Sequence, residues 1–175
     1  MTFPRQLLSH CFNWIQRRRR RQLGGDAPEQ LSGPRILASS ELVTRFVYSK
    51  SNIRKAEARP KPGAFNPSPH MELSVVHSSV LNDSEIWGVG TQTLGTQPGR
   101  GTIYGRADIP VQSLLDVMLR ALRDDKPFKR HTSVIDWPIG SDGNETKERW
   151  KQITLELSED PRVQLVLPAT PVTIV

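Results

Sequence analysis

One cysteine, Cys11, stands in 175 residues. That excludes an internal disulfide and any CxxC metal site, and it suits a reducing, cytoplasmic setting. No apolar run approaches the roughly 20 residues of a membrane-spanning helix. A secretory leader fits poorly, because leader arginines precede the apolar stretch and here they follow it. Several catalytic signatures are also missing. There is no G-x-S-x-G for a nucleophile elbow and no HExxH for a zinc protease. "GVGTQTLG", 88–95, has a misplaced third glycine, and "GRGTIYG" lacks the Lys-Ser or Lys-Thr pair of a phosphate loop. His70 and Glu72 form an H-x-E, but the PCxxC that zinc deaminases need downstream is absent. No cofactor is expected, and a metal site from His70, Glu72, His131 and Asp136 would arise only if the fold gathered them.

Acidic residues are absent from residues 1–25, which hold six arginines. Formal charge then runs +6 over 1–25, +3 over 26–62 and −3 from 63 onward. The excess therefore belongs to the first third of the chain and points to a polyanionic partner. Thr2 and Pro4 can open a helix, and Leu7, Leu8, Cys11, Phe12 and Ile15 recur at helical spacing. A helix over about 3–21 is predicted, ending in Arg17, Arg18, Arg19, Arg20 and Arg21. Arginine suits bidentate phosphate contact. Five phosphate contacts on duplex DNA would give a log–log salt slope of roughly −4.5. The same apolar face and cationic end could instead lie on anionic lipid, a peripheral membrane contact. The domain boundary is placed at "GGDAPEQLSGP", with 1–34 a basic arm and linker and 35–175 one globular domain. The contrast in composition also fits a disordered arm or a start-site artefact.

Beyond the linker, "ELVTRFVYS" (41–49), "MELSVVHSS" (71–79), "TIYGRADI" (102–109), "HTSVIDW" (131–137) and "VQLVL" (163–167) read as strands. Asn82, Asp83 or Ser84 caps a short helix through Ile86 and Trp87. Val111, Leu114, Leu115, Met118, Leu119 and Leu122 predict an amphipathic helix from Pro110 to 122. Asn144 is read as the cap of a third helix burying Trp150, Ile153 and Leu157. "ARPKPGAFNPSPH" (58–70), with four prolines, and the five-glycine stretch 88–101 are read as loops. The order predicts a single small α+β or α/β domain with a mixed sheet and about three helices.

The second basic stretch supplies the candidate binding residues Arg45, Lys50, Arg54, Lys55, Arg59 and Lys61, opposed only by Glu57. Backbone N–H groups, Ser49 and Ser51 would join them around a phosphate, and Tyr48 would stack on a base. His77 and His131 are the candidate acid–base residues. His131 follows Lys129 and Arg130, whose charges would lower its pKa.

Taken together, "RFVYSKS", "RPKPGAFNP", "ELSVVHSS" with "EIW", "GRADIPV" and "RHTSVIDWP" resemble a set of small bacterial proteins of uncharacterised activity, over about residues 42–168. The resemblance implies a bacterial, cytoplasmic, single-domain protein and assigns no catalytic role. Three functions follow from the residues. The first is a nucleic-acid or polyanion binding module. The second is a small enzyme on a phosphate-bearing nucleotide or RNA end, with His77 or His131 as acid or base. The third is a non-catalytic accessory subunit. A histidine hydrogen-bonded beside Arg45 and Lys50 in a cleft would favour the enzyme, and an open basic stripe would favour binding. Oligomeric state is not legible in the residues.

Overall fold

Apolar runs that alternate in the sequence become neighbouring strands. The computed structural model describes residues 34–96, 101–170 and 172–173. The predicted helix over 3–21 and Arg17 to Arg21 lie outside them. In chain order the strands are β1 (Arg35–Ile36), β2 (Leu42–Val47), β3 (Ile53–Arg54), β4 (Arg59–Pro60), β5 (Leu73–His77), β6 (Thr102–Ile103), β7 (Gly105–Pro110), β8 (Arg120–Arg123), β9 (His131–Ile135), β10 (Gln164–Val166) and β11 (Val172–Thr173). Seven form one sheet in the order β1-β8-β9-β5-β2-β7-β10, and each neighbouring pair is antiparallel. β3–β4 and β6–β11 are separate two-stranded ribbons. The described helices are α1 (Asp83–Thr96), α2 (Val111–Asp116) and α3 (Gly143–Glu159). The class is α+β.

Directly opposite residues of antiparallel strands share a face. One face carries Val43, Val75, Ala107, Ile109 and Val134, which pack with Leu114 of α2, Leu157 of α3 and Phe65 in the main core. The other carries Phe46 and Val76, covered by Ile86 of α1 and by Ile103. Two layers of helix thus enclose the sheet, with polar groups of the second face beneath or beside α1.

Three elements differ from the sequence expectation. The glycine-rich stretch continues the helix from Asp83 to Thr96. Its start is a capping box: Glu85 N–H donates to Asn82 Oδ1 at 3.0 Å, and Asn82 N–H donates to Glu85 Oε2 at 2.9 Å. Gly90 serves close packing, since a Cβ there would lie 2.6 Å from the Phe46 ring. The helix expected over 110–122 stops at Asp116. Met118 takes a left-handed φ of 61°, Met118 N–H donates to Leu115 O, and Leu119 N–H to Leu114 O. That is a Schellman closure, after which Ala121 and Leu122 alternate in β8. The four-proline stretch is not simply a loop. It contains β4 and a 3₁₀ turn at Pro62–Phe65 that sinks Phe65 fully into the core.

α3 forms as expected, but its cap is Asp142, which accepts from the N–H of Asn144 and Glu145. Trp150 Nε1 donates to Pro138 O at 2.8 Å, and its ring meets Trp137 edge to face. Among the described residues no helix is long and apolar enough to cross a membrane.

Candidate functional site

β5 and β9 set the site. Register pairs Ser74 with Ser133 and Val76 with His131, so Ser74 and His131 lie on the α1 face. His131 is 6% exposed and packs edge to face against Phe128. Its Nε2 lies 2.7 Å from Ser74 Oγ, and its Nδ1 lies 2.6 Å from Asp124 Oδ1. A carboxylate on Nδ1 holds the ring proton there, so Nε2 accepts from the serine hydroxyl. The result is an unbroken Ser74–His131–Asp124 hydrogen-bond chain.

The loop joining β8 to β9 positions Asp124. Asp124 and Asp125 N–H both donate to His131 O, at 3.1 and 3.2 Å. Asp125 receives Arg123 Nε at 3.0 Å and Arg130 N–H at 2.7 Å. Burial works to raise the Asp125 carboxyl, and these donors outweigh it, leaving its pKa below the ordinary value. Both Asp125 and Arg130 have left-handed φ values, 53° and 68°. This tight loop brings a carboxylate back over the strand that carries the histidine.

Ser74 also borders a recess of about 20 Å³ between β2 and β5, whose lining includes Arg45, Phe46, Tyr48, Thr93 and Phe128. Here the sheet is incomplete. β2 and β5 pair only at Val43↔His77 and Thr44↔Val76. Arg45 fills the splay, donating from Nη1 to Ser74 O at 2.7 Å and from Nε to Ala64 O at 3.3 Å. Across the recess Tyr48 Oη and Thr93 Oγ1 are 3.5 Å apart.

A second polar network lies on the same face. Thr44 Oγ1 donates to Asp108 Oδ1 at 2.6 Å, and Arg106 holds both Asp108 and Asp83, the latter at 2.6 Å. Arg106 is 6% exposed at its side chain and lies over the Trp87 ring. This network ties α1 to β7.

No protein-family model, curated protein or solved structure matches the chain. The site therefore rests on its own geometry.

The other candidates are placed as follows. His77 lies on the opposite face from His131, buried, 3.0 Å from Glu41 Oε1 but outside hydrogen-bond geometry at both ring nitrogens. Burial lowers its pKa, so the neutral ring is favoured. His70 is exposed in the turn before β5, and Glu72 receives Ser133 Oγ at 3.3 Å. Asp136 pairs with Arg120 on the exposed surface. These groups and His131 are not gathered, and among the described residues no cluster of three or more His, Cys, Asp or Glu could hold a metal.

The basic stretch does not converge on one point. Arg45 turns into the sheet. Arg54 pairs with Glu159 at 2.5 Å and with Glu57 at 3.2 Å, and Arg59 reaches Glu159 at 3.5 Å. Lys50 sits over the Tyr104 ring at 5.1 Å, and Lys55 and Lys61 are exposed. Ser49 and Ser51 bond each other at 2.7 Å in a 3₁₀ turn.

Sequence reasoning found His131 and missed Ser74 and Asp124. Ser74 carried one signal, a polar residue between apolar ones in a short strand. Asp124 carried none, because its proximity to the ring depends on the loop's backbone.

Proposed function

We propose that this chain is a small enzyme of nucleophilic catalysis, with Ser74 as nucleophile, His131 as general base and Asp124 as the orienting carboxylate. The observation that carries the reading is the continuous Ser74–His131–Asp124 chain at 2.7 and 2.6 Å beside an open recess. A serine hydroxyl is a weak nucleophile at neutral pH, and an adjacent imidazole removes its proton as the bond forms. A carboxylate on the far nitrogen fixes the tautomer and stabilises the imidazolium. Proximity to Arg45 supports an electron-rich reacting group at Ser74. The lone cysteine and the motif resemblance support a cytoplasmic bacterial setting.

The test is labelling of the full chain with a fluorophosphonate probe, read by mass mapping. Adduct at Ser74 is expected, and His131→Ala should suppress it while the melting profile stays cooperative. A folded wild-type chain that takes no label at Ser74 would refute the reading and leave His131 as a structural histidine.

Polyanion binding is a second reading, supported by the +6 charge of residues 1–25 and by exposed Lys55 and Lys61. With Arg54 and Arg59 engaged by Glu159, we assign most of that binding to Arg17 to Arg21. Fluorescence anisotropy over a salt series, on the full chain and on one with these five arginines changed to glutamine, decides it. Unchanged affinity in the variant would overturn that assignment.

A further inference from the structure

Resting on the serine-nucleophile reading, we infer that Glu72 is the specificity residue of the site and takes a protonated amine on the substrate, so that the chain hydrolyses esters whose acyl group carries that amine.

The register places Glu72 beside the nucleophile. Ser74 stands directly opposite Ser133. Directly opposite residues share a face, and so do residues two apart on one strand. Glu72, two positions before Ser74, therefore belongs to the α1 face with Ser74 and His131. The bond from Ser133 Oγ to Glu72 Oε2 at 3.3 Å fixes the carboxylate there. Ser133 is buried, whereas Ser74 and Glu72 are both half-buried and meet solvent. Residues two apart on a strand are separated by about 7 Å, so a small substrate spans the two side chains.

The charge of Glu72 is unmatched. Among the described residues no cation pairs with it, and its carboxylate accepts from the Ser133 hydroxyl. A carboxylate offers about four lone-pair sites, so acceptor capacity remains. The cations of this region are committed elsewhere or stand apart. Arg120, opposite Ile135 in the register, pairs with Asp136. Arg45 bonds the carbonyls of Ser74 and Ala64. Lys126 and Lys129 are exposed on the loop behind Asp124, where Lys126 N–H donates to Asp124 Oδ1 at 3.3 Å.

A half-buried carboxylate without a cation favours one from the substrate, since charge-assisted hydrogen bonds are roughly twice as strong as neutral ones. The same charge disfavours phosphoryl transfer, which spreads negative charge over three oxygens and calls for cations around them. A carbonyl carbon suits Ser74 better. With that carbon about 3 Å from Ser74 Oγ and the ammonium about 2.8 Å from the carboxylate, the two substrate groups lie roughly two to four bonds apart. That is the span of a small amino acid's acyl group.

The reaction balances with water alone. Ser74 Oγ bonds the acyl carbon as its proton passes to His131 Nε2. The bond to the leaving oxygen breaks, and that oxygen takes the proton from His131. Water then attacks the acyl-enzyme and gives a proton to His131. The bond to Ser74 Oγ breaks, its proton returns, and the free acid leaves. The ammonium stays on Glu72 throughout, unchanged.

The experiment compares the p-nitrophenyl esters of β-alanine, butyric acid and succinic acid on the full chain, beside the fluorophosphonate label. Their acyl groups are close in length and differ in charge. Each rate is corrected for that of Ser74→Ala and divided by uncatalysed hydrolysis, which removes the ammonium's own activation of the ester. On that scale kcat/KM for the β-alanyl ester should exceed the butyryl value about tenfold, and salt should erode the excess. Glu72→Gln, checked for cooperative melting, should bring the ratio to about one; the wild-type comparison needs no variant. Equal wild-type rates, or an excess that survives Glu72→Gln, overturns the assignment. So does a preference for the succinyl ester, which would move recognition to Lys126 and Lys129. If Ser74 takes the label and no ester is hydrolysed faster than by Ser74→Ala, the inference fails and the nucleophile stands. If Ser74 takes no label, both fail.

Discussion

Gly90 is where helix propensity and packing oppose each other, so a single substitution measures which wins. Alanine in a helix interior is favoured over glycine by roughly 1 kcal/mol. At Gly90 the added Cβ would stand 2.6 and 2.8 Å from two Phe46 ring atoms and 2.9 Å from Ile103 Cδ1. Carbon pairs are comfortable at about 3.5–4.0 Å, so something must move by close to an ångström. Phe46 is 5% exposed and Ile103 fully buried, so neither can swing into solvent. Overpacking of this kind costs about 1–3 kcal/mol. Gly90→Ala should therefore gain nothing and lose up to about 2 kcal/mol net, a fall of as much as roughly 1 M in urea midpoint at an ordinary slope. Gly88 provides the control on the same helix. It is exposed and has nothing within 4 Å of a Cβ, so Gly88→Ala should gain about 0.5–1 kcal/mol. Equal stabilisation by both substitutions would refute the close seating of α1 on Phe46, and with it the wall of the recess that Thr93 supplies from the next turn.

Three further outcomes are expected. Met118 holds a left-handed backbone and is 85% exposed, so Met118→Gly should raise stability by about 1 kcal/mol in urea unfolding. Arg35 donates to both oxygens of Glu41, at 2.6 and 2.9 Å, and holds its pKa down to about 2 from 4.5. The depressed value means that Glu41 contributes stability above pH 4.5 that is lost as pH falls towards 2. Glu41→Gln should thus cost about 1–2 kcal/mol at pH 7, with the difference from wild type vanishing near pH 2 in an unfolding series. Asp124→Asn keeps the shape of the relay but favours the other His131 tautomer, and the rate of fluorophosphonate labelling at Ser74 should drop by about 10⁴ with melting little changed.

The strands were legible where apolar residues alternate, as in "LVTRFV" and "HTSVI", because a half-buried sheet imposes that period directly. The 110–122 run misled for a physical reason. Leu114 belongs to a helix and Leu119 is buried just before a strand, yet their spacing satisfies one helical face, and no glycine marks the break at Met118. In the 88–101 stretch glycine read as a turn, whereas Gly90 lets the helix approach Phe46. Charge density around Arg54 and Arg59 was visible in the sequence, but Glu159, about a hundred residues away, was not. His131 could be singled out by its type alone. Its partners required knowing that Ser74 lies on the neighbouring strand and that the 124–130 loop folds back.

The short seam between β2 and β5 also bears on how the sheet opens. β1, β8, β9 and β5 form one ladder, and β2, β7 and β10 another, joined by two rungs and by side-chain bonds, among them Thr44–Ser78 at 3.0 Å, Leu42 N–H to Ser79 Oγ at 2.6 Å and Arg45 Nη1 to Ser74 O at 2.7 Å. Cooperative opening follows the weakest run of hydrogen bonds. Amide exchange should then divide along this line, with the amides beside Arg45 exchanging through small local openings while both ladders persist. A probe that labels Ser74 should then react faster under conditions that speed exchange of these amides.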